Sequence, residues 1–261
     1  MVDSGDWVVP RYEGQPFFDK PILSYWLMAA AMEGLGTTAG AARLVPVLAS
    51  IGLLLATAWL GTLLYARRSA LWGALVLATT LAFLSFARVA MSDMLLTLWT
   101  TLAVGLAVLA YRPGAPSWAV PVLGAVAGLG FATKGPVALL VPGLAVLLLL
   151  WENRRRPLPC GGGPFTLGVL AFAVLGLGWF ALVYRRLGTE PLVYFFFREN
   201  LERFAGEAYD VGRPFWFYPP AYLAEGLPWS PFLPIALWRL LRSREGDEAE
   251  RTRFLSLWVA L

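Results

Sequence analysis

The 261-residue sequence predicts an all-α, polytopic membrane protein, and three observations carry that prediction. Hydrophobic residues make up 58% of the chain and charged residues 15%, against about 25% charged in a soluble domain. The apolar residues run together in stretches close to the roughly 20 residues that a helix needs to cross the hydrocarbon. Arginines gather between those stretches, which is how a membrane topology accounts for the net charge of +4 without invoking nucleic acid as a partner.

Seven segments read as membrane helices, at about 41–65, 70–87, 93–111, 117–132, 136–151, 165–184 and 215–239, and an eighth begins at Phe254. Ahead of them, residues 1–40 read as an outer, periplasmic loop. Its 22–35 stretch is short and carries Glu33 near its end, which suits a helix lying in the interface. Residues 41–261 form a transmembrane helical domain with a long outer loop at 185–214. The opening "MVDSGDWVVPRYEGQ" is polar and lacks the basic start and apolar core of a cleavable signal. Gly124 and Gly128 form a GxxxG pair that predicts close helix packing. "CGGGP" at 160–164 lacks the Gly-Lys-Ser/Thr ending of a phosphate loop and reads as a flexible linker. Residues 215–234 hold five prolines and Glu225, so that helix must be broken, and it is expected to wall a lipid-binding groove. Trp118, Trp151, Trp216 and Trp238 sit near helix ends, as an interfacial belt does.

Alternation of the helices separates the loops into two sets. One holds Arg67, Arg68, Arg112, Arg154 to Arg156 and the Arg239–Arg253 cluster; the other holds residues 1–40, the Arg88–Asp93 turn, Lys134 and the 185–214 loop. Their basic counts are nearly equal. The long loop, however, balances its five basic residues with Glu190, Glu199, Glu202, Glu207 and Asp210, so those charges can serve a site rather than report topology. This places the first set in the cytoplasm, where the single Cys160 would stay reduced.

Every unusual polar feature then falls on the outer side: Asp19–Lys20 between Pro16 and Pro21, Arg88 and Asp93, Lys134, and Arg198–Glu199 with Arg203. Ionisable groups near a bilayer tend to line a path or a site, because lipid exposure is expensive. A cluster of Lys and Arg there fits a lipid-linked phosphate, which Arg grips in bidentate fashion and Lys meets as a point charge. Taken singly, each has a plainer explanation. Lys134 can snorkel to the headgroups, Arg88 and Asp93 can form an interfacial ion pair, Asp19–Lys20 can be a simple turn, and Arg203 can lie on a solvated helix face. Histidine is absent, so the commonest metal ligand and neutral-pH base are missing.

These residues occur in an order that resembles the lipid-carrier-dependent glycosyltransferases, the superfamily of the bacterial aminoarabinose transferases and the protein O-mannosyltransferases. Ser4-Gly5-Asp6-Trp7, Pro10, Gly14, Asp19-Lys20-Pro21 and Tyr25-Trp26 match the family's first outer loop, with Ile22 in place of a second proline. "ARL" at 42–44, "ARVAMSDMLLT" at 87–97, "ATKGP" at 132–136 and "FFFRENLERF" at 195–204 follow in family order. The resemblance implies the GT-C architecture, a multi-helix transmembrane bundle with an outer-face juxtamembrane helix. It also implies transfer of a monosaccharide from a polyprenyl-phosphate carrier to a lipid A-like lipid or a protein, with inversion, at the outer face of the bacterial inner membrane. By the same resemblance Lys20 and Arg203 bind the lipid phosphate, Lys134 and Arg88 add to the field, and Asp19 orients Lys20 or helps hold a divalent cation. The lack of histidine removes the imidazole from a family-like carboxylate–His metal site. In the family a first membrane helix and an Asp-Glu pair precede the SGDW motif, and that acid is the expected general base. Met1 lies beyond the corresponding position, so the expectation is a fragment without its base, inactive alone, with Asp6, Asp19 or Asp93 as poorer substitutes. Two other readings compete: a transporter, and a non-catalytic polyprenyl-phosphate-binding protein. The charges lie at one surface instead of mid-helix and no inverted repeat is visible, which disfavours the transporter.

Overall fold

The computed structural model describes residues 1–152, 161–202 and 213–242. Within them, the first regular element is an antiparallel ribbon of β1 (Arg11–Tyr12) and β2 (Gln15–Pro16). Glu13 and Gly14 close it with φ of 50° and 80°, the paired positive values that a two-residue hairpin turn favours. The 22–35 stretch is helical as expected, as α1 (Leu23–Leu35). Then comes α2 (Ala39–Leu64), opened by the Thr38 hydroxyl accepting from the Ala41 amide at 3.1 Å. Its 26 residues reach about 39 Å, enough to cross a bilayer.

The expected 70–87 helix is two pieces, α3 (Arg67–Ala78) and α4 (Leu81–Phe86). Between them the Thr79 and Thr80 hydroxyls donate back to carbonyls of Leu75 and Val76, both at 2.8 Å, a local bond that competes with the helical ladder. The backbone freed there is met by a second interruption. Leu81 donates its amide to the Leu227 carbonyl at 2.9 Å, and the Trp229 indole donates to the Thr79 hydroxyl at 2.8 Å. Residues 227–229 belong to the proline-rich segment, which is broken as expected into short turns at Phe215–Phe217 and Ser230–Phe232 and helices at Tyr218–Glu225 and Leu233–Arg242.

The centre of the bundle is α5 (Asp93–Ala110), packed against α2 on one side and α6 (Ala119–Lys134) on the other. Helical structure continues from Ala119 to Trp151, 33 residues, more than one crossing needs. The core shows that the chain reverses within it. Leu60 of α2, Val104 and Val108 of α5, Leu123 near the start of α6, and Ala145 and Leu149 near the end of α7 (Leu140–Glu152) pack together. The end of α7 therefore lies level with the beginning of α6. Gly135 makes the reversal, at φ 73° and ψ −148°, a region essentially reserved for glycine, followed by a short 3-10 turn over Gly135–Leu139.

The expected 165–184 helix is α8 (Gly162–Phe172), a π turn at Ala173–Leu177, and α9 (Gly178–Leu187). The linker expected at 160–164 is corrected: Gly162, Gly163 and Pro164 form the first turn of α8, where an amide has no helical partner to lose and proline is tolerated. Cys160 lies outside the described residues, as does the eighth helix at Phe254. The GxxxG pair behaves as expected. A Cβ on Gly124 would sit 2.0 Å from the Gly168 carbonyl oxygen, and one on Gly128 would sit 3.1 Å from the Gly176 nitrogen. The bundle thus has two distinct ends. At one, Arg112 donates to the Leu63 carbonyl and caps α2. At the other lie residues 1–22, Asp93, Lys134 and Arg186.

Candidate functional site

The first loop is fixed by its own sequence before it meets the bundle. One carboxylate oxygen of Asp6 accepts from the amides of Val8 and Val9 at 3.0 and 3.2 Å, and from Arg186 of α9 at 2.9 Å. Those amides first, and then Arg186, hold the Asp6 carboxyl below its usual range against a partial desolvation. The Trp26 indole donates to the Trp7 carbonyl at 2.6 Å and the Trp179 indole donates to the Val8 carbonyl at 2.8 Å. The SGDW motif is therefore a clamp joining the loop to α1 and α9, with Asp6 committed to structure.

The clamp presents the Asp19–Lys20 turn. Phe18 leans on Trp179 with ring centres 6.4 Å apart, and Pro21 and Ile22 are fully buried directly after the turn. Ile22 enters an aromatic cluster with Phe131, Trp179, Phe180 and Phe195. The same cluster supports a nine-residue π-helix, Tyr194–Glu202, entered from α10 (Glu190–Val193). Asn200 donates its side-chain amide to the Phe195 carbonyl at 2.7 Å across that wide turn.

Three charged sites rest on this floor. Tyr194 donates its hydroxyl to Asp19 at 3.0 Å and lies 3.3 Å from a carboxylate oxygen of the buried Glu199. Arg198 stacks over the Tyr194 ring, 5.9 Å from its centre. Lys134 and Asp93 pair at 2.6 Å, both about one-third exposed. Phe195 joins the two groups, because its ring lies where a Cβ on Gly135 would be, 2.6 Å away. Lys20 is half-buried and makes no hydrogen bond or ion pair among the described residues.

The structure therefore brings together Asp19, Lys20, Asp93 and Lys134 around one π-helix. The plainer alternative of an Arg88–Asp93 ion pair is not what forms: Asp93 binds Lys134, and Arg88 is exposed with no ion pair among the described residues. Arg203 lies outside the described residues. Tyr194 escaped sequence reasoning, and Tyr25 entered it only as part of a motif, with no role. Burial first, then the charge of Asp19, pushes the Tyr25 phenol up to about 12, so it stays neutral. A divalent ion fits poorly here. Asp19 is bonded to a phenol, and among the described residues no group of three or more His, Cys, Asp or Glu side chains could hold a metal. A cavity of about 130 Å³ beside Ala110, Pro116, Val120 and Pro164 lies at the opposite end of the bundle, away from these charges.

Comparison with known proteins bears on this geometry. Residues 19–179, more than half of the chain, match the family described as dolichyl-phosphate-mannose-protein mannosyltransferase. The chain is 33% identical over 270 residues to undecaprenyl phosphate-alpha-4-amino-4-deoxy-L-arabinose arabinosyl transferase 1 of Sodalis glossinidius, covering 100% of this chain and 47% of that protein. To the undecaprenyl phosphate-alpha-4-amino-4-deoxy-L-arabinose arabinosyl transferase of Pseudomonas aeruginosa strain UCBPP-PA14 it is 35% identical over 278 residues, covering 100% of this chain and 47% of that protein. The crystal structure of ArnT from Cupriavidus metallidurans bound to undecaprenyl phosphate superposes with a TM-score of 0.84 at 25% identity, over 100% of this chain and 47% of that one. The chain spans about half the length of the curated relatives it matches. It has the fold of a polytopic helical membrane protein of the GT-C kind.

Proposed function

The chain belongs to the dolichyl-phosphate-mannose-protein mannosyltransferase family, and from that premise we propose that it forms the donor-phosphate site of a glycosyltransferase. In this reading the donor is a monosaccharide on a polyprenyl phosphate, and the matched relatives point to an aminoarabinose on undecaprenyl phosphate. The acceptor is a lipid A-like lipid or a protein, met at the outer face of the bacterial inner membrane.

The observation that carries the reading is Lys20: a half-buried ammonium without a counter-ion among the described residues, held on a rigid turn. Attack of an acceptor oxygen on the anomeric carbon forms the new glycosidic bond while the carbon–oxygen bond to phosphate breaks. The electron pair leaves with the lipid phosphate, and the sugar carbon inverts. A fixed cation at the departing oxygen stabilises the charge that develops there, most effectively where water is excluded. Lys20 fills that role, and Arg203 is its family counterpart. Lys134, already paired to Asp93, contributes less free charge, and Arg88, exposed to solvent, is screened more than Lys20.

None of the three acids considered as base suits the task. Asp6 accepts three hydrogen bonds, Asp93 is paired with Lys134, and Asp19 accepts from Tyr194. In this reading the acceptor's proton therefore passes to a base outside the described residues or to an oxygen of the departing lipid phosphate.

The test is Lys20→Ala in the full-length gene product, incubated in membranes with a labelled polyprenyl-phosphate sugar. Transfer should fall at least tenfold while insertion and thermal stability are kept. Unchanged donor turnover overturns the assignment.

A further inference from the structure

We propose that Tyr194 is a positioning residue whose hydroxyl keeps the Asp19 carboxylate away from Lys20, so that the ammonium is open to the donor phosphate. The proposal rests on the reading of Lys20 as the phosphate anchor and adds the device that keeps it available.

Asp19 and Lys20 are consecutive residues of opposite charge on one turn. Left to themselves they would attract one another, being opposite unit charges on neighbouring residues at the protein's surface region. They do not pair: Lys134 with Asp93 and Arg186 with Asp6 are the ion pairs among the described residues. The Asp19 carboxylate instead accepts from Tyr194 at 3.0 Å. Tyr194 can hold it there because its ring carries Arg198 on one face. Its single hydroxyl proton has two carboxylate acceptors, and Asp19 at 3.0 Å is nearer than buried Glu199 at 3.3 Å. The following residue, Phe195, is buried in the aromatic cluster and locks the start of the π-helix. A phosphate arriving at Lys20 thus finds no carboxylate of the described residues to displace. Without the phenol, Asp19 would swing to its neighbour and compete with the phosphate for the same ammonium.

The experiment measures the affinity of undecaprenyl phosphate for the full-length gene product in detergent, with thermal unfolding as a check on folding. Tyr194→Phe should weaken binding about tenfold. Adding Asp19→Asn should restore it, because an amide cannot neutralise Lys20; a purely structural loss at Tyr194 would not be rescued in this way. In a Lys20→Met background, Tyr194→Phe should have no further effect. Unaltered affinity in Tyr194→Phe overturns the proposal, as does a tenfold loss that Asp19→Asn leaves in place. If Lys20→Met binds as tightly as the unmodified protein, the phosphate assignment itself fails and the positioning role falls with it. If Lys20→Met is weak but Tyr194→Phe is normal, the site stands and only the role of Tyr194 is lost.

Discussion

The hydroxyl of Tyr194 donates to Asp19 at 3.0 Å across 175 residues of chain. This bond fastens the first loop to the π-helix, so the turn carrying Lys20 cannot shift without moving Phe195 and the glycine turn beside Lys134. Four further expectations follow from contacts of this kind.

Lys134→Met leaves the Asp93 carboxylate without its partner in a half-buried place. Stranding such a group costs roughly 1–3 kcal/mol. Thermal unfolding in detergent should show the loss, and adding Asp93→Asn should recover part of it. Equal stability of the single and double variants would mean that the stranded carboxylate is not the cause of the loss.

Gly135→Ala combines two penalties. The backbone at φ 73° and ψ −148° costs a side-chain-bearing residue roughly 1–3 kcal/mol, and the new methyl would lie 2.6 Å from the Phe195 ring. Phe195→Leu on top should relieve the collision and leave the backbone share. Unfolding temperatures of the three proteins separate the two contributions.

Glycines within helices should divide into two groups. Gly124→Ala drives a methyl into the Gly168 carbonyl and should destabilise by at least about 1–3 kcal/mol. At Gly73 or Gly143 nothing lies within 4 Å of the added carbon, so alanine should be neutral or stabilise by about 0.5–1 kcal/mol. A Gly124→Ala protein as stable as Gly143→Ala would contradict the close α6–α8 contact.

Docking of the first loop should depend on acid. The Asp6 carboxyl is held below its unfolded value of about 3.9, so its contribution is complete above that value and is lost as pH falls through the lower, folded one. Hydrogen exchange of the Val8 and Val9 amides, corrected for the intrinsic rate, should therefore accelerate in that acid window. Asp6→Asn should expose the same amides already at neutral pH to a greater degree than Arg186→Met, because the amides are the larger cause of the shift.

The helices were legible in the sequence where apolar runs were long, as in α2 and α5, because burial in hydrocarbon needs length and little else. The interruption at Thr79–Thr80 was not, since two threonines barely lower hydropathy and their hydroxyls act only through local geometry. An Arg88–Asp93 pair is the local alternative that the sequence offers, whereas the partner of Asp93 is Lys134, 41 residues on, brought close by the packing of α5 against α6. Lys20 draws notice in the sequence because a lysine between prolines at a membrane edge is unusual; its half-burial without an ion pair among the described residues is what the fold adds. Tyr194 was hidden: at the head of "YFFF" it looks like one more interfacial aromatic, and its polar role depends on a widened helical turn that residue types do not announce.

The facing gaps at Thr79–Leu81 and Leu227–Trp229 are, in effect, the two leaves of one hinge pin. Each lends the other the donors and acceptors that a continuous helix would have kept to itself, by way of the Leu81 amide and the Trp229 indole. Neither can change length alone. Removing a residue from 227–229 unlatches the junction of α3 and α4, and straightening Thr79–Thr80 into a helix leaves the Leu227 carbonyl of the proline-rich stretch without its donor.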